Sequence, residues 1–192
     1  MRPSSEIAFP SPGAGAATPS VASLSVEDRA DLGAILAHAL GERAANRGAL
    51  PDLLGLPAPA YRGLAAMMLP LRLPDLDVMP AAGAADQRAV ATLITWRGEA
   101  ATPLAFWLAD ILARRAMEPN HLWEDLGLPT RPHLTALIGR HFPGLIRLNH
   151  ANMRWKKFFY RQICSESAFS LCLAPTCDAC DERSDCFAPD EA

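Results

Sequence analysis

Four of the five cysteines of this chain fall within fifteen residues, CLAPTCDACDERSDC, from Cys172 to Cys186. Their spacing is C-x4-C-x2-C-x5-C. Only Cys177 and Cys180 have the x2 separation that lets two neighbouring thiolates grip one metal. Cys172 and Cys186 approach from either side. Four thiolates suit tetrahedral zinc or an iron–sulfur cluster. The first three match the C-x4-C-x2-C run with which a plant-type ferredoxin loop wraps its cluster, and the fourth does not. Zinc ribbons usually split their ligands into two knuckles a dozen or more residues apart. Here all four lie in one loop, which favours a multi-atom cluster and leaves structural zinc as the alternative. Cys164 stands apart and is read as a packed helix cysteine.

Other residues that could do chemistry are fewer. His150 precedes an aromatic-rich segment and is the best histidine candidate for a ligand, although a solvated polar residue is the plainer reading. Arg154, Lys156, Lys157 and Arg161 crowd that segment. They can attract an oxyanion, balance an anionic cluster, dock a partner, or simply form a solvated helix face pointing outward. The loop beyond carries Glu166, Asp178, Asp181, Glu182, Asp185, Asp190 and Glu191 against Arg183. These acids are expected to keep the loop soluble, because a sulfide-rich cluster does not need such hard ligands. Glu124 and Asp125 read as a helix-surface pair rather than an acid–base dyad. No phosphate-binding glycine loop and no nucleophile elbow occurs, so no turnover site is recognised.

The elements that must position the cysteines read as helices. Ser25 caps a segment with Leu32, Ile35, Leu36, Ala39 and Leu40 on one face. Ala58 to Leu69 has helical composition, LRLPDLDVMP is a proline-broken loop, and Asp86 to Trp96 is helical. Thr102-Pro103 opens a helix through Leu104, Trp107, Leu108, Ile111 and Leu112. HLWEDLGL ends at Gly127, expected to be a left-handed cap. Thr130 caps a segment to His141, closed by Pro143. The last helix is expected from about His150 to Cys164, with Trp155, Phe158, Phe159 and Ile163 on one face. Trp96, Trp107, Trp123 and Trp155 are all assigned to the core. The fold class is all-α, about seven short helices. The expected organisation is a disordered Pro/Gly/Ala-rich tail at 1–23, a helical domain at 24–166 and the cysteine-rich loop and C-terminus at 167–192.

The composition is consistent with that. Half of the 192 residues are apolar, enough for a core without metal or disulfide, and 17 are Pro, which implies short segments. A net charge of −3 predicts no bulk attraction to nucleic acid or anionic membrane. No apolar run is long enough to span a bilayer, and MRPSSEIAFPSPGAGAATPS lacks the basic and apolar regions of a secretory signal. A cytoplasmic location is expected, where clustered cysteines are metal ligands or redox groups more often than disulfides.

The cysteine cluster, preceded by NMRWKKFFYRQIC and further back by HLWEDLGL, resembles the NifQ family of nitrogen-fixation proteins. The specific motifs lie between residues 121 and 186. The resemblance implies a molybdenum–iron–sulfur protein that supplies cluster-bound molybdenum for the nitrogenase iron–molybdenum cofactor. It implies as partners the cofactor-maturation scaffold, the nitrogenase iron protein and a molybdate-derived species. It carries the cluster ligands onto Cys172, Cys177, Cys180 and Cys186. A three-iron cubane fragment (3Fe-4S type) held by three thiolates would leave a corner for molybdenum. A helical interaction module folded round structural zinc is the alternative.

Overall fold

The computed structural model describes residues 21–69 and 71–166, with side chains followed as far as Ile163. Among them are nine α-helices and no strand: α1 Val26–Ala44, α2 Leu50–Leu54, α3 Ala58–Met67, α4 Ala85–Gly98, α5 Pro103–Ala116, α6 Leu122–Asp125, α7 Arg131–His141, α8 Pro143–Leu148 and α9 Trp155–Glu166. The all-α expectation holds, with two more helices than expected. A 3-10 turn at Val21–Ser23 precedes them, and Val21 packs on the core.

The two extra helices have one cause. Proline breaks a helix from within, but five of these helices carry one in their first turn, where the missing N–H would lack a partner anyway. Pro51 lies in the first turn of α2, and Pro143 opens α8 instead of merely closing α7. Thr102 caps α5 as expected, its Oγ1 accepting from Ala105 N–H at 3.1 Å. Ser25 does the same for α1, accepting from Asp28 N–H at 3.0 Å. Gly127 has φ 72°, the left-handed conformation expected after α6. Thr130 precedes α7, but its hydroxyl bonds His133 Nδ1 at 2.8 Å, not a backbone N–H.

Helix α5 is the hub. Leu104, Ala105, Leu108, Ala109, Ile111, Leu112, Ala113 and Ala116 are all buried, far more than one stripe, because neighbours surround it. It packs on α2, α3, α4 and α6, while α4 also carries α8 and α9. Buried charge ties distant segments together. Arg115, 1% exposed, meets Glu42 of α1 at 2.7 Å, and Arg140 of α7 meets Asp31 at 2.5 Å. The loop after α3 is pinned by Asp75, which pairs with Arg43 and accepts from Leu50 N–H at 2.9 Å. The Arg43 bond, helped by that N–H, holds the Asp75 carboxyl down at about 2.

One core assignment is overturned. Trp96 is 77% exposed, because the inward face of α4 is Val90, Leu93 and Ile94 and Trp96 falls off it. Trp155 is buried, and Trp107 and Trp123 pack partly buried against the core. No helix among the described residues is long and apolar enough to cross a membrane.

Candidate metal-cluster region

The proposed ligands Cys172, Cys177, Cys180 and Cys186 lie outside the described residues, as does the side chain of Cys164. Among the described residues, no group of three or more His, Cys, Asp or Glu side chains could hold a metal ion. What the structure does show is the support from which the cysteine segment departs, helix α9.

That helix starts later than the sequence pattern suggested. Asn149 and Met153 close a small ring: Asn149 Nδ2 donates to Met153 O and Met153 N–H donates to Asn149 Oδ1, both at 2.8 Å. Asn152 takes a positive φ of 51° inside it. The backbone of 149–153 is thereby held in a turn, and α9 opens at Trp155. His150 is exposed on that turn, in keeping with the plainer reading of a solvated residue.

From Trp155 onward the helix is anchored firmly. Trp155, Phe158 and Phe159 are buried, as expected, and stack as a trio. Trp155 meets Phe158 edge-on at 5.6 Å and 89°, and Phe159 lies 6.0 Å from both. Such contacts add to simple area burial. Trp155 Nε1–H donates to Thr135 Oγ1 at 3.1 Å, fixing α9 to α7. Tyr160 O–H donates to Ala116 O at 3.3 Å, at the C-terminal end of α5. Burial, with the Asp86 charge adding, pushes that phenol above its ordinary value, so it remains a donor. The last described element before the cysteines is therefore a rigid stem.

Lys156 corrects the outward-facing basic face. Its ammonium donates to Asp125 Oδ2 and to Glu118 O, both at 2.5 Å, and the side chain is only 16% exposed. Asp125 is itself buried at 5% and also accepts from Asn120 Nδ2 at 3.0 Å. The expectation of a surface Glu124–Asp125 pair thus fails for Asp125. Glu124 instead accepts from His121 N–H at 2.8 Å, capping α6. Lys157 and Arg161 are exposed as expected.

The same packing opens a cleft of about 460 Å³ between α6, α7 and the start of α9. His121, Trp123, Glu124, Arg131, Arg154, Trp155, Lys156 and Lys157 are among its lining residues. Sequence reasoning had found the cations of α9 but not Arg131, which comes from α7. Arg131 is buried, and its Nη2 donates to Asn152 O at 2.6 Å. No sequence signal marks it, since nothing local relates residue 131 to residue 154.

With that geometry in place, relatives give the identity. The NifQ family profile matches residues 32–188, which takes in nearly the whole helical body and all four clustered cysteines. The chain belongs to the NifQ family. It is 58% identical to Protein NifQ of Rhodobacter capsulatus over 160 residues, covering 83% of this chain and 89% of that one. It is 45% identical to Protein NifQ of Klebsiella pneumoniae over 102 residues, 53% of this chain and 59% of that protein. The Protein NifQ of Azotobacter vinelandii is 44% identical over 85 residues, 44% of each chain. No solved structure matches. NifQ membership places the chain among nitrogen-fixation proteins.

Proposed function

We propose that this NifQ-family protein is a carrier, not an enzyme, that holds molybdenum as cargo on an iron–sulfur cluster and donates it for assembly of the nitrogenase iron–molybdenum cofactor. The observation that carries the reading is the extent of the family match, which runs through Cys172, Cys177, Cys180 and Cys186. The donor set fits such a cargo. Four soft thiolates in one short segment match iron–sulfur chemistry, and sulfide is a good ligand for molybdenum once oxo groups are exchanged. Three thiolates are enough for three irons, which leaves one corner of the cluster for the second metal. The chain's own contribution is to hold that segment at the end of a stem bolted to α4, α5 and α7. The recipients on this reading are the cofactor-maturation scaffold and the nitrogenase iron protein.

Anaerobic purification followed by iron, sulfide, molybdenum and zinc analysis tests it. The expected product is brown, contains iron and sulfide, and takes up molybdenum. A colourless protein holding zinc and no iron would overturn the proposal in favour of a zinc-stapled interaction module.

A further inference from the structure

We infer that Lys156 and Tyr160 are positioning residues for the cysteine segment: together on α9, they lock that helix to the C-terminal end of α5 and so fix where the cluster ligands begin. The inference rests on the proposed carrier function and adds to it a specific pair of contacts. The last carbonyls of a helix need donors from outside its regular bonding. At the end of α5 the following turn serves two of them, Met117 N–H donating to Arg114 O at 3.2 Å and Glu118 N–H to Arg115 O at 3.1 Å. The next acceptors are served by α9. Tyr160 O–H donates to Ala116 O at 3.3 Å, and Lys156 Nζ donates to Glu118 O at 2.5 Å. An ammonium is also the favoured charge at that negative end of the helix dipole. The same ammonium reaches Asp125 Oδ2, so α6 joins the lock.

Two such bonds do what the aromatic trio cannot. Trp155, Phe158 and Phe159 bury α9 against the body, but apolar contact is non-directional and tolerates a small slide or roll. Hydrogen bonds weaken steeply once they are bent. Lys156 and Tyr160 stand four residues apart, neighbours on one side of α9. Holding both to fixed carbonyls at the end of α5 sets the height and the rotation of the helix together. Cys164 is the next position in that row, α9 ends at Glu166, and Cys172 follows six residues later. A shift of α9 is therefore passed directly to the start of the ligand segment. Metal retention depends on the groups that hold the ligands and their supports in register, and a rigid helix sets that register better than a loop does.

The full chain, purified without oxygen, tests this through the rate at which a chelator removes its metal and through the visible circular dichroism of the cluster. Tyr160→Phe keeps the ring and deletes one O–H. It should retain iron, lose it to the chelator about three- to tenfold faster than the parent, the worth of one neutral hydrogen bond, and alter the visible dichroism. Amide exchange in the second half of α9 should quicken by a similar factor, while α4 and the middle of α5 keep their protection. Lys156→Met should lose metal faster still. Lys156→Arg, which keeps donors at that position, should recover most of the parent's behaviour. Gly144→Ala separates positioning from plain stability. It loosens α8 on α4 and leaves both α5 contacts in place, so well below its melting temperature it should release metal as the parent does. Parent-like release and dichroism in both Tyr160→Phe and Lys156→Met overturn the lock, as does release that merely follows melting temperature across all four variants. A parent that holds zinc and no iron would sink the carrier function. The same order of release rates on zinc would then leave the lock standing, and equal rates would overturn it.

Discussion

Lys156 ends inside the protein, where one ammonium satisfies the buried Asp125 carboxylate and the Glu118 carbonyl just past the end of α5. Removing one member of such a pair leaves the other charge desolvated, which costs far more than an exposed pair is worth. Lys156→Met should therefore destabilise the fold by about 2–4 kcal/mol, seen as a lower urea midpoint with an unchanged slope. A change within error would return Lys156 to the surface role first read from the sequence. Asp110 on α5 poses the opposite problem. Burial pushes its carboxyl up to about 6, above the ordinary 3.8. Because the folded value is raised, the protonated form is favoured in the folded state. The cost is absent below about pH 4 and grows as the pH rises through about 6. Asp110→Asn should stabilise the protein near pH 7.5 by about 1–2 kcal/mol once solvent screening is allowed for, and by nothing near pH 4. A gain independent of pH would refute that account. The cysteines give the third residue-scale expectation. Cys177→Ser and Cys180→Ser should each abolish iron retention, since these two form the tight pair, whereas Cys164→Ser should retain iron. Normal iron in both of the first two variants would remove them as ligands. The quartet was legible because ligands for one metal site can lie close in sequence. The cleft was not, because Arg131 and Arg154 come to line one cavity only through the fold, which sets α7 beside the start of α9.

Helices meet where side chains vanish. In α8, a Cβ added to Gly144 would lie 2.0 Å from Arg97 O and 3.3 Å from the Gly98 carbonyl carbon, both backbone atoms of α4. Backbone cannot swing aside as a side chain can, so Gly144→Ala must push α8 off the end of α4. The cost should be about 3 kcal/mol, at the upper end for overpacking, and about 6–12 °C in melting temperature for a chain of this size. Gly139→Ala on α7 is the control. Its added methyl would meet Ile146 at 3.8 Å, ordinary contact, and the gain in helix propensity should leave stability unchanged or up to about 1 kcal/mol higher. Equal effects from the two substitutions would show that helix propensity, not the close approach, dominates. Element reading from sequence succeeded where the apolar period ran for several turns, as in α1 and α5. It failed where a helix was too short to show a period. α2 and α8 have 5 and 6 residues, and only the proline at their starts marked them. A proline flanked by apolar residues is as much a beginning as an end, and local sequence alone does not say which. For α9 the composition was plain but the start was not, because the Asn149–Met153 ring that delays it depends on side-chain hydrogen bonds.

Across the whole molecule, the core runs without a break from Leu32 in α1 to Phe159 in α9. Three ion pairs stitch the chain end to end: Arg140 with Asp31, Arg115 with Glu42, and Lys156 with Asp125. The segment 167–192 brings few apolar anchors of its own, chiefly Leu171, Leu173 and Phe187. A body with a continuous core does not need a metal to fold, unlike a small finger in which ligation supplies most of the stability. Local stability should follow the same division, high in α4, α5 and α9 and lower past Ser165. Stripping the metal from the full chain with a chelator should then leave the far-ultraviolet helical signal nearly intact. Amide exchange should keep its protection in α4 and α5, with any loss of protection confined to residues after about Ser165. The opposite result, collapse of the helical signal along with the iron, would mean that the cluster organises the whole chain. The long-range ion pairs seen here would then form only after ligation, and the anchored α9 stem could not exist before the cargo arrived.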